Sequence, residues 1–202
     1  MRAHWIANGI LTIDRFLSQT ECDDYVKLSE GKGFEEASVS TERGMVMMKS
    51  WRNNDRVIMD DASLASRLWQ RLQPSAPEIS QWHPVGVNER FRFYRYDIGQ
   101  KFDWHQDGFF ERANGEKSFF TFMVYLNADF EGGETSFSTT SVSAPRPDLK
   151  IKPEAGKALL FHHPITHKGE AVVSGRKYVL RSDIMFAPAV QDDSNVVPLI
   201  SR

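Results

Sequence analysis

The chain has 202 residues, 41% hydrophobic and 12% aromatic, which is enough apolar material for a packed core and excludes a disordered chain. A formal charge of -2 gives no electrostatic reason to expect nonspecific binding to nucleic acid or to an anionic membrane. One cysteine, Cys22, excludes an intrachain disulfide and fits a reducing compartment. The opening MRAHWIANGILTIDRF lacks the apolar run of a signal peptide, and no stretch reaches the roughly 18–20 apolar residues of a spanning helix. The expectation is a soluble, cytoplasmic, single-domain protein, with no oligomeric state implied.

In chain order, Ile10 to Phe16 alternates loosely as a short strand. Ser18 begins a helix, with Glu21 three residues on as its capping-box partner. Cys22, Tyr25, Val26 and either Leu28 or Ser29 form its apolar face, and Gly31 and Gly33 stop it. Residues 34–58 read as one or two strands around a loop, with an apolar island at Met45, Val46, Met47 and Met48. Asp60 or Asp61 caps a second helix carrying Leu64, Leu68 and Leu72 on one face with Ala65 and Trp69, ended by Pro74 and Pro77. Both helices are expected on one face of a sheet.

From Val85 the pattern is strand-like. Arg90–Tyr96 alternates, Gly99 and Gln100 make a turn, and a strand resumes over Lys101–Asp107. Ser118–Asn127 is apolar on both faces, as in a central strand. Further strands are expected at Glu134–Phe137, Lys150–Pro153, Lys157–His162, Glu170–Val173 and Arg176–Phe186, with a Ser/Thr/Pro loop over 138–149. Many short strands behind N-terminal helices indicate an α+β, mainly β, double-sheet jelly roll. The expected division is a helix and strand support region over 1–84, a jelly-roll core over 85–187 and an irregular tail over 188–202.

Strand parity would turn His105 and Asp107 to one side. A third ligand has three competitors, His162, His163 and His167. His162 and His163 follow the apolar ALLF, where a satisfied core histidine is the ordinary explanation. His167 follows Pro164 at the entry to the strand that carries Lys177, and is favoured. Two imidazoles and one carboxylate leave open coordination positions, which suits ferrous iron. Lys177 and Arg181 share strand parity, whereas Arg176 has the opposite parity. A cation turned inward needs an anion to offset its desolvation. Trp51, Arg52 and Trp104 are candidate substrate contacts, the first two in a loop dense with polar groups.

Phe91 to Asp107, GGETSF at Gly132–Phe137, KPEAGKALLF at Lys152–Phe161, and HKG followed by GRKYVLRSDIMF together resemble the iron(II)- and 2-oxoglutarate-dependent dioxygenases. The prolyl 4-hydroxylase-like branch is the most similar, and the resemblance covers about residues 85–187. It implies that His105, Asp107 and His167 bind Fe(2+), and that Lys177 holds the distal carboxylate of 2-oxoglutarate with Tyr96 assisting. Arg181 would share or replace Lys177 in that role. It further implies O2 as oxidant, ascorbate as an occasional reductant, and hydroxylation of an unactivated C–H bond, first of a peptidyl proline. A free amino acid or small metabolite is the second substrate class. A non-catalytic jelly-roll binding module and a zinc hydrolase are the rival classes; neither has a use for the open metal face together with Lys177.

Overall fold

A computed structural model describes residues 1–37, 39–41, 44–46, 48–139 and 143–189. The chain opens on β1 (Arg2–Ala7) and β2 (Ile10–Asp14). The sequence pattern misses β1 because it is an exposed edge strand with no buried alternation to detect. Helix α1 (Gln19–Lys32) is capped as expected. The Ser18 hydroxyl accepts from the Glu21 N–H, and the Glu21 carboxylate accepts from the Ser18 N–H. Gly31 stays inside the helix, and Gly33, at φ 80°, terminates it. The buried face runs through Cys22 and Ser29, while Leu28 is exposed.

The next segment forms β3 (Glu35–Glu36), β4 (Val39–Thr41), β5 (Gly44–Val46) and β6 (Asp55–Asp60). Met47, within the expected apolar island, lies outside the described residues. Helix α2 (Ala62–Leu72) starts at Asp61, whose carboxylate accepts from the Leu64 N–H at 2.8 Å. It buries Leu64, Ala65, Leu68 and Leu72 and ends in a 3-10 turn containing Pro74. Then follow β7 (Trp82–Val87), β8 (Arg90–Tyr96), β9 (Phe102–His105), β10 (Lys117–Tyr125), β11 (Glu131–Gly132) and β12 (Thr135–Ser138). The chain continues through β13 (Leu149–Ile151), β14 (Ala158–His162), β15 (Thr166–Gly169), β16 (Val172–Ser174) and β17 (Lys177–Pro188). Most of the expected irregular tail, 190–202, lies outside the described residues.

A nine-stranded sheet runs β1-β2-β14-β10-β17-β8-β6-β3, with β7 also paired to β17. A four-stranded sheet runs β13-β12-β15-β9. Every pairing is antiparallel. The two sheets close on each other as a jelly roll. Of the strands within residues 1–84, β1, β2, β3 and β6 belong to the large sheet, while, among the described residues, β4 and β5 pair only with each other. Central β10 is buried on both faces, as its unbroken apolar run demands.

Parity sorts β17 between two cores. Leu180, Ile184 and Phe186 face the helices with Phe91, Phe93, Phe122, Leu64 and Leu68. Val179 faces the small sheet with Tyr94, Tyr125, Phe137 and Phe161, and Lys177 and Arg181 share its parity. Gly156 clamps the layers: at φ +76° its N–H and carbonyl both pair across, and an added Cβ would lie 2.1 Å from the Leu17 carbonyl oxygen.

Candidate active site

Between the sheets, one pocket is lined by Lys177 and Arg181 and by His105, Asp107 and His167. His105 and His167 sit directly opposite each other on paired strands β9 and β15. The ligand atoms of His105, Asp107 and His167 all lie within 4.8 Å of one another. Asp107 is not on the strand, which ends at His105. Its backbone N–H donates to the His163 carbonyl, and its carboxylate accepts from Thr121 Oγ1 at 2.5 Å. Parity therefore named the right partner for His105 through a route the backbone does not take.

His105 Nδ1 lies 2.7 Å from the Asp103 carbonyl and His167 Nδ1 lies 2.9 Å from the Ile165 carbonyl. A carbonyl only accepts, so each Nδ1 carries the proton and each Nε2 offers its lone pair. Burial pushes both imidazoles below their usual range, keeping them neutral. Burial alone would raise the Asp107 carboxyl, but the Arg181 guanidinium beside it, helped by the Thr121 hydrogen bond, holds it well below the carboxylate range. Two neutral nitrogens and one ionised carboxylate are a donor set that fits a divalent transition metal.

Lys177 opens β17, directly across from Tyr96 on β8. It is 2% exposed, and its Nζ donates to the Gly133 carbonyl at 2.6 Å. No carboxylate lies within ion-pair distance among the described residues, and burial pulls the ammonium down to about 8. The Tyr96 ring faces Nζ at 5.0 Å. The GGET motif gains a role here: Gly133 holds the lysine, and Thr135 bonds the Tyr125 hydroxyl at 2.7 Å.

Residues 91–182 match the 2OG-Fe(II) oxygenase superfamily. A probable prolyl 4-hydroxylase 6 of Arabidopsis thaliana is 30% identical over 72% of this chain and 55% of its own. A probable prolyl 4-hydroxylase 7 of the same plant is 29% identical over 84% of this chain and 60% of its own. The core of the chain, residues 91–182, is thus similar to the 2OG-Fe(II) oxygenase superfamily. The chain is similar to the prolyl hydroxylase-like branch, and spans no more than 60% of these two plant relatives. Two solved structures share this fold. The viral collagen prolyl hydroxylase of Paramecium Bursaria Chlorella virus-1 covers 90% of this chain and 99% of its own, at TM-score 0.59 and 24% identity. A Trichoplax adhaerens prolyl hydroxylase, solved with a hypoxia inducible factor peptide fragment, covers 88% and 84%, at TM-score 0.67 and 18% identity.

The superfamily triad and Lys177 come together as expected, although His167 and Lys177 do not share a strand. They occupy β15 and β17, in different sheets, with β16 between them. His163 is turned toward Asp183 at 3.6 Å and His162 is half-buried. Arg181 enters the pocket but pairs with Asp107 Oδ1 at 3.0 Å, orienting that carboxylate instead of waiting for a ligand. Arg52 does not itself line the pocket, and neither do Trp51 and Trp104. The Trp51 indole N–H donates to the Trp104 carbonyl and its ring abuts Phe102 edge-on, so both brace β9. An irregularity in the β9–β15 register brings Phe102 to the His105 face, where the rings stack at 3.5 Å. Sequence reasoning missed Phe102, Thr121 and Tyr94. A threonine in an apolar strand was the available pointer to the second.

Arg52 is 5% exposed, with its guanidinium 4.8 Å from the Tyr94 ring centre and 4.4 Å from that of Phe102. Burial pushes the Tyr94 hydroxyl up, but Arg181, Arg52 and Arg92 outweigh it and bring it down to about 8.

Proposed function

We propose that this chain is an iron(II)- and 2-oxoglutarate-dependent dioxygenase that hydroxylates an unactivated C–H bond, with a peptidyl proline as substrate. The observation that carries this reading is a buried lysine with no carboxylate within ion-pair distance among the described residues, sharing one pocket with a two-histidine, one-carboxylate donor set. A zinc hydrolase or a passive binding module has no use for that pairing.

His105, Asp107 and His167 would hold the iron, and Lys177 the distal carboxylate of 2-oxoglutarate. Bound together with dioxygen, these groups supply oxidising chemistry that yields succinate, carbon dioxide and a hydroxylated product. The protein's part is positional. The Asp103 and Ile165 carbonyls fix the imidazole tautomers. Thr121 and Arg181 fix the Asp107 carboxylate. Gly133 aims the Lys177 ammonium. Phe102 stacks on the His105 ring, Phe161 packs at a tilt against that of His167, and together they keep bulk water from both.

The test is succinate formation from 2-oxoglutarate under air with ferrous iron, beside a mass-spectrometric search of proline peptides for the gain of one oxygen atom. Iron-dependent succinate release that is lost in His105→Ala is the expected result. Full turnover in that variant overturns the ligand assignment. A free amino acid or small acid remains the second substrate class, favoured by the buried Arg52.

A further inference from the structure

The segment holding Arg52 links the two sheets beside the pocket. Arg52 is bridged to Phe102 of the small sheet, and two residues later Asn54 leads into β6 of the large sheet. Its guanidinium therefore lies against one pocket-lining ring from each sheet, Phe102 and Tyr94. Each ring is one contact from the metal ligands: Phe102 stacks on His105, and the Tyr94 hydroxyl accepts from Arg181, which pairs with Asp107.

A buried guanidinium ordinarily has a carboxylate. Arg52 has none within ion-pair distance among the described residues. Nε donates to Asn54 Oδ1 at 2.8 Å, and Nη2 is buried without a hydrogen-bond partner. Nearby, Arg92 Nη1 and Arg181 Nε are likewise buried and unpartnered. Asp183 lies 3.6 Å from Arg92 and 3.5 Å from Arg181. Arg92 and Arg181 are thus balanced by Asp183 and Asp107, which leaves the charge of Arg52 uncompensated. Desolvating that charge is costly unless a ligand completes it.

We propose that Arg52 reads a carboxylate of the primary substrate, so that the hydroxylated molecule is a monoanion at this subsite. For a peptidyl proline, the carboxylate belongs to a neighbouring acidic residue or to the C-terminus; for a free amino acid, it is the α-carboxylate. This rests on the dioxygenase reading above. Arg52 is a specificity residue, and the co-substrate keeps its own cation in Lys177. A single carboxylate matches this one charge, and the planar guanidinium fork can donate two parallel hydrogen bonds to it.

The experiment measures binding without turnover, by calorimetry on protein loaded with Mn(II) and 2-oxoglutarate. Acid and amide pairs are compared: L-proline against L-prolinamide, and proline peptides bearing Glu against Gln, or a free against an amidated C-terminus. The expected result is at least one pair in which the acid binds about 10-fold more tightly or better. That preference should fall below about 3-fold in Arg52→Gln and survive in part in Arg52→Lys. Arg52→Gln should melt no lower than the parent, because it removes an unpaired buried charge. Equal binding of every acid and its amide, or failure of every acid to bind, overturns the proposal using the parent protein alone. A melting temperature that drops sharply in Arg52→Gln also overturns it, by making the cation structural. Failure of Mn(II) or 2-oxoglutarate to bind at all would instead sink the dioxygenase reading.

Discussion

Lys177 is the residue whose cost to the fold is clearest. Its ammonium, displaced by burial from 10.5 to about 8, binds its proton less tightly in the fold than in the unfolded chain. Between those values the unfolded state holds the extra proton, so this group's contribution to stability rises with pH across the window and its penalty is full below it. Lys177→Met should therefore be more stable than the parent at pH 7 by about 1–3 kcal/mol, with the gap closing towards pH 10.5. Paired urea titrations at the two pH values check this. The same variant should lose at least about 50-fold in 2-oxoglutarate affinity. Carboxylate binding should raise the ammonium's pKa again, giving proton uptake above pH 8 that calorimetry in buffers of different ionisation enthalpy would read. Histidine identity is a second residue-scale matter. His167→Ala should weaken Mn(II) binding by about 100-fold or more, measured by electron paramagnetic resonance, while His163→Ala should stay within about 10-fold of the parent. Equal losses in both would remove His167 from its assigned role.

At the scale of elements, α1 and α2 were legible because both of their ends carry local chemistry: Ser18 with Glu21, and Asp61 before an apolar stripe. Their mutual clamp was not. Arg71 near the end of α2 reaches back to Glu21 at 2.7 Å, a contact between residues 50 apart in sequence. The Arg71 hydrogen bond is the main reason Glu21 is held down to about 2. A carboxylate so depressed stabilises the fold fully above its unfolded value of 4.5 and loses that contribution as pH falls towards 2. Both side chains are about one-third exposed, so screening reduces the effect to roughly 1 kcal/mol. Glu21→Gln should cost that much at pH 7 and nothing near pH 2, as read by denaturation against pH. The strands were less legible where they are short. β15 escaped notice because THKG has no alternation to detect, and the irregularity at β9 moves Phe102 to a face that strict parity denies it.

For the whole molecule, the pocket is a joint product of both sheets, so filling it should hold the sandwich closed. Mn(II) with 2-oxoglutarate, each at about 100-fold its Kd, should raise the melting temperature by about 10–20 °C, and a chelator should reverse the metal's share. A shift equally large in His105→Ala would mean that the ligands bind elsewhere. The amino-acid order by itself determined the secondary elements with strong periodicity or caps, the shared parity of Lys177 and Arg181, and the donor types at 105, 107 and 167. Those depend on neighbours a few residues apart. Tertiary structure alone decided that His163 turns to Asp183, that Arg181 is taken by Asp107, and that Arg52 is left buried without a counter-ion among the described residues. Charge compensation is a property of distances between sheets, and no spacing along the chain encodes it.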